Sequence, residues 1–215
     1  MDFLADILPY LLRGAVTTVQ LTVVSMALAL VAGLVLALMR LSRSRPFRLL
    51  SGAYIEIIRG TPLLVQLFII YYGLPQYGIR LEAFAAGVIG LSMNYSAYLA
   101  EVYRAGILAI DKGQWEAGGS IGLSRAALLQ YIIVPQAARI VLPPVGNYFI
   151  SMLKDSALVS TISIIELMRA AQLRVAITFR AMDIYLVVAL IYFLMSYPCS
   201  VLIRYLERWT SRGHA

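Results

Sequence analysis

Few side chains in this 215-residue sequence are suited to covalent chemistry, and their spacing excludes most of it. There is one histidine, His214, and one cysteine, Cys199. A Ser-His-Asp relay or a His/Cys/Asp metal cluster cannot be assembled from them. Cys199 lies in an apolar run and has no partner for a disulfide within the chain, and His214 reads as a solvated tail. A phosphate-cradling loop needs Gly-Lys-Ser/Thr, but the only two lysines, Lys112 and Lys154, follow Asp111 and Leu153. The expectation is therefore no catalytic residue, no metal ligand and no cofactor held by this chain.

The remaining chemistry is that of polar groups set inside apolar sequence, where a charge costs on the order of 3 kcal/mol and usually faces a partner or a pathway. Glu56 and Arg59 stand three apart, so they can neutralise each other on one helix face or offer charges to a solute. Gly60-Thr61-Pro62 follows at once and should kink the helix, with Gln66 just beyond. Asn94 sits mid-run among Ser92, Tyr95, Ser96 and Tyr98, suited to interhelical hydrogen bonds or to a solute. Glu101 and Arg104 form a second three-residue pair, read as structural. Lys154-Asp155-Ser156 interrupts another run, either to bind or gate a zwitterion or to end the helix.

The elements that hold these groups are set by composition. The chain is 61% hydrophobic and 13% charged, with a mean hydropathy of +0.81. A soluble domain needs a far more charged coat, so the solvent for this chain is lipid. The predicted architecture is all-α, a single membrane domain over 1–215 with five spans at roughly 14–39, 49–73, 83–103, 138–165 and 184–203. The N-terminus, with Asp2 and Asp6, lacks the basic region of a cleaved signal peptide, so the first run is expected to be retained. Ala29 and Gly33 suit close helix packing, and Tyr185, Tyr192, Phe193 and Tyr197 suit lipid or packing contacts. With the C-terminus inside, eleven basic residues fall on inner segments and five on outer ones, which puts the N-terminus outside. The basic stretch from Arg169 to Arg180 runs against that rule. The net charge of +7 thus reads as topology rather than as nucleic-acid binding.

On this topology the inner loop 111–135 is cytoplasmic. It reads as a helix near Gln114 to Gly119, a turn near Gly122 to Ser124, and a second helix from Arg125 to Ile133. Its stretch EAGGSIGLSRAALLQYIIVP, residues 116 to 135, resembles the EAA loop of ABC-importer permeases: Glu-Ala-Ala, three residues, Gly, nine residues, Ile-x-Leu-Pro. Glu116, Ala117, Gly122, Ile132 and Pro135 fall on the pattern, with Gly118 for the usual alanine and Val134 for leucine. Further stretches, YIEIIRGTPLLVQLFIIYYGLP, AYLAEVYRAGI, KGQWEA and LPPVGNYFISMLKDSALVSTISIIEL, resemble the polar amino acid branch of that family.

The resemblance implies a permease subunit of an importer in a bacterial inner membrane. Its implied partners are a second permease (identical or paralogous), ATP-binding subunits that hold ATP and Mg, an extracytoplasmic solute-binding protein and an amino acid. Glu116, Ala117, Gly118, Gly119, Gly122, Leu123 and Arg125 are the residues expected to couple to the ATPase. Glu56, Arg59, Gln66, Asn94, Ser96, Lys154, Asp155 and Ser156 are the substrate-pathway candidates. Two rival readings are a self-sufficient ion-coupled carrier using Glu56, Glu101 or Asp155, and a purely structural membrane subunit.

Overall fold

A computed structural model describes residues 2–211, so His214 and Arg212 lie outside the described residues. Helices α1 (Asp2–Leu41), α2 (Arg45–Arg59), α3 (Leu63–Phe68), α4 (Ala83–Leu108) and α5 (Lys112–Ser120) follow in order. Then come α6 (Arg125–Leu128), α7 (Val134–Asp155), α8 (Leu167–Thr178) and α9 (Ala181–Ser211), with no strand among the described residues. A π-helical turn at Leu129–Ile133 joins α6 to α7, and a 3₁₀ segment at Ser156–Ile162 continues α7.

Helices α1, α6 through Ile162, and α9 are long and apolar enough to cross a membrane, and the α2–α3 pair makes a fourth if it is one bent span. The expected third span falls outside that set. At 26 residues α4 is long enough, but Ser92, Asn94 and Ser96 dilute its apolarity. All three are buried, because α4 is the central helix and packs against protein more than lipid. Its closest neighbour is α1: Ala29 is fully buried, and a Cβ at Gly33 would meet Leu99 Cβ at 2.9 Å and the Ser96 carbonyl at 3.1 Å. Glycine is what lets the two backbones approach there.

The main core joins α1, α3, α4, α7 and the 3₁₀ segment through Leu21, Leu67, Leu91, Met152 and Ile162. A second core sets the start of α1 against α8 and α9, through Ile7, Leu11, Leu167 and Ile184. Where the cores meet, Glu166 is fully buried. Its carboxylate caps α8 by accepting from the Met168 and Arg169 amides, both at 2.8 Å. It also accepts from the Tyr192 hydroxyl at 3.2 Å and the Thr18 hydroxyl at 3.4 Å, which ties α1, α8 and α9 together. An acid at a helix N-cap satisfies orphan amides and meets the positive end of the helix dipole.

Candidate functional site

The chain turns by 103° between α2 and α3, at Gly60-Thr61-Pro62. Proline lacks the amide that would continue the ladder and pushes its predecessor out of the helical region. Two side chains meet the groups freed at the break: Thr61 Oγ1 donates to Ile57 O at 2.9 Å, and Gln66 Nε2 donates to Ile58 O at 2.8 Å and Thr61 O at 3.1 Å, with Thr61 Oγ1 also 2.8 Å from it. Gln66 Oε1 in turn accepts from Asn94 Nδ2 at 3.1 Å. A buried amide pair thus fixes the broken segment to α4.

In front of this pair lies an open cavity of about 480 Å³. Its floor is the exposed backbone of Gly60, Thr61 and Pro62, and its walls carry Arg59, Asn94 and Asp155. Three tyrosines complete it: Tyr95 meets Tyr148 edge-on at 6.1 Å, and Tyr98 lies 5.6 Å from Tyr148. The Arg59 guanidinium sits over the Tyr98 ring at 5.2 Å, and the Tyr95 hydroxyl donates to Asp155 Oδ2 at 2.7 Å. The cavity therefore presents a cation on an aromatic face, a carboxylate anchored on one oxygen, and the Asn94 amide on the same wall. A zwitterion with a carboxylate at one end and an ammonium nearby matches that chemistry.

The structure brings Arg59, Asn94 and Asp155 to the cavity and sends the other candidates elsewhere. Glu56 makes no ion pair with Arg59, whose charge rests on Tyr98 instead. Gln66 lies behind the wall. Ser96 donates to Met93 O at 2.8 Å and stands 3.1 Å from the Tyr54 hydroxyl, joining α2 to α4. Lys154 lines a separate recess with Asn147, Ser200 and Arg204. Ser156 is buried and donates to Leu153 O at 2.7 Å, so it closes the end of α7. Glu101 and Arg104 do pair, at 2.7 Å. Tyr148 escaped the sequence reading, although Tyr148, Ser151 and Asp155 at spacings of three and four mark one helix face.

The inner loop is a compact hairpin of short helices. Asp111 caps α5 through the Gly113 amide at 2.7 Å, and Ser124 caps α6 through the Ala127 amide at 3.2 Å. Gly122 has φ +76°, the left-handed region that glycine enters without a Cβ penalty. Leu123 N then donates back to Gly118 O at 3.1 Å and closes the turn. Gly118 is buried, and a Cβ there would collide with the Leu128 methyl. Its small size seats α5 on α6 rather than presenting a surface. Glu116, Ala117, Gly119, Gly122 and Arg125 are exposed, Leu123 is half-buried, and Ile121 stands 75% exposed at the tip. Buried Ile110, Leu128 and Ile133, with Trp115 against them, root the hairpin on α7.

A helical fold with a rooted, capped hairpin and a polar cavity at a broken helix pair suits a transport subunit, and the sequence family agrees. The chain belongs to the family of binding-protein-dependent transport system inner membrane components, whose model matches residues 29–212. It is 42% identical over 208 residues to the L-cystine transport system permease protein TcyB of Bacillus subtilis, covering 95% of this chain and 88% of that protein. It is 38% identical to the glutamine transport system permease protein GlnP of Escherichia coli, covering 94% and 93%. Among solved structures it matches an amino acid ABC transporter chain with TM-score 0.91 and 45% identity, covering 97% and 98%. The MetNI methionine ABC transporter shares the fold, with TM-score 0.81 at 19% identity over 95% and 98%.

Proposed function

We propose that the chain is one of two permease subunits of an ATP-driven importer of polar amino acids. The observation that carries this reading is the cavity at the broken span, where Arg59 and Asp155 supply opposite charges around an aromatic wall. Arg59 takes the α-carboxylate, Asp155 the α-ammonium, and Asn94 with the Gly60–Pro62 backbone reads the groups between. The names of the relatives, which transport cystine and glutamine, support the same substrate class. In this reading α1, the α2–α3 pair, α4, α6–α7 and α9 make five crossings, with the N-terminus outside. The cavity is open on one side, which suits closure by a second permease subunit. A solute-binding protein delivers the amino acid from outside.

The exposed face of α5 and its tip, with Glu116, Ala117, Gly119 and Ile121, is the surface that seats in the ATPase. Gly122 shapes that tip, and Gly118, Leu123 and Arg125 set how it stands on α6. ATP and Mg act in that partner, and closure of the ATPase pair draws the two hairpins together. The ion-coupled alternative gains nothing from Glu101, already committed to Arg104. The test is Glu116→Lys and Gly122→Trp in the reconstituted complex. Both are expected to leave membrane insertion intact and abolish substrate-stimulated ATPase activity and uptake. Unimpaired uptake in either variant would refute the coupling surface.

A further inference from the structure

A second cavity, of about 510 Å³, lies where the end of α1, the start of α2 and the end of α4 meet. Arg40, Arg45, Arg48 and Arg104 line it, with Leu41 and Leu49. Four guanidinium groups gather in one recess whose lining holds no carboxylate, and of the four Arg104 is bonded to Glu101, at 3.0 and 2.7 Å. Two of the four are held in place by backbone. Arg40 Nη1 donates to Arg48 O at 3.3 Å, and Arg48 Nη1 donates to Ser42 O and Arg43 O, both at 3.1 Å. Arg40 also lies directly on Gly52, where any Cβ would collide with its guanidinium. Among the described residues, Arg45 makes no hydrogen bond or ion pair and remains available.

The rim identifies the occupant. Leu49, in the cavity lining, and its neighbour Leu50 are 71% and 64% exposed, and Phe47 at the start of the same helix is 52% exposed, while Ser51, Ile55 and Ile58 of that helix are buried. An amphipathic helix with exposed Phe and Leu next to arginines is built to lie at the lipid boundary, not to face open cytoplasm. An anion that also needs apolar walls, at that depth, is a phospholipid with an acidic headgroup. We infer that the α1–α2–α4 recess is a binding site for one anionic phospholipid of the inner leaflet, its phosphate held by Arg40, Arg45 and Arg104. The inference rests on the proposed orientation of the chain but on no step of transport.

The test uses the full chain in mild detergent, titrated with dioleoylphosphatidylglycerol or dioleoylphosphatidylcholine and read by native mass spectrometry and melting temperature. Phosphatidylglycerol is expected to give one saturable adduct and a higher melting temperature, with phosphatidylcholine giving neither. Arg45→Gln should weaken the adduct about fivefold. It should not change the lipid-free melting temperature, because Arg45 bonds nothing within the protein. Arg40→Gln should weaken the adduct at least as much. Equal binding of both lipids, or undiminished binding by both variants, would overturn the site. Displacement by millimolar inorganic phosphate would show an anion site that needs no lipid, and exclusion of phosphatidylglycerol on adding the ATPase would show a protein occupant. Either result overturns the inference while leaving the amino acid reading untouched.

Discussion

The Gln66–Asn94 pair carries a prediction that can be worked through. Replacing Gln66 with leucine keeps the volume but removes two N–H donors and one acceptor. The Ile58 and Thr61 carbonyls at the break, and the Asn94 amide, then lose their partners. Hydrogen bonds between membrane helices average about 0.6 kcal/mol each, with a ceiling near 1.7. Three lost bonds therefore cost about 2 kcal/mol, or about 4–8 °C in melting temperature for a domain of this size. Asn94→Leu loses one bond and costs less. The decisive assay is the double-mutant cycle, measured by thermal unfolding in detergent and by uptake in vesicles. Because the two amides bond to each other, the double variant should lose less than the sum of the singles. Losses that add to within about 0.5 kcal/mol would mean the amides are independent, and would refute this account of how the break is held.

Three further predictions follow from the geometry. Tyr95→Phe removes the hydrogen bond the Asp155 carboxylate accepts and should change KM for the amino acid more than the maximal ATPase rate, while Asp155→Asn should raise KM at least tenfold; both are read in reconstituted vesicles. Glu166→Ala removes the cap of α8 and strips Tyr192 and Thr18 of their acceptor, for a loss of about 3 kcal/mol seen in thermal unfolding. Glu166→Gln, which keeps an acceptor oxygen, should lose less. Gly118→Ala should be tolerated because the Leu128 methyl can rotate aside, whereas Gly118→Leu should uncouple ATPase activity from substrate by lifting α5 off α6.

Much of this molecule was legible from the residues. The apolar runs pointed to the long helices, Gly60-Thr61-Pro62 to the break, and the turn at Gly122 to Ser124 to the hairpin. These are local effects of backbone chemistry, so sequence carries them directly. What sequence could not supply was the partner of each polar group. Glu56 and Arg59 have ideal spacing for a pair, yet Arg59 finds an aromatic ring from α4 instead. Gln66, Ser96 and Lys154 have the right chemistry for a pathway but point to other tasks, because helix rotation decides which face meets the cavity. Glu166 is not singled out in the sequence at all, because two of its four bonds reach residues 148 positions before it and 26 after it. The polarity of α4 has the same physical basis: Ser92, Asn94 and Ser96 are buried against neighbouring helices, so a central helix is solvated by protein.

The helix that begins at Arg125 passes through the π-helical turn and ends at Asp155 as one continuous body. At about 1.5 Å per residue its length is about 46 Å. The inner hairpin is rooted at one end and the carboxylate of the cavity stands at the other, so the chain contains its own lever arm. A rotation of only about 5° about one end sweeps the far end through about 4 Å, more than a hydrogen-bond length. In the proposed function, a push of that size at the hairpin would be enough to move Asp155 away from the ammonium of an amino acid.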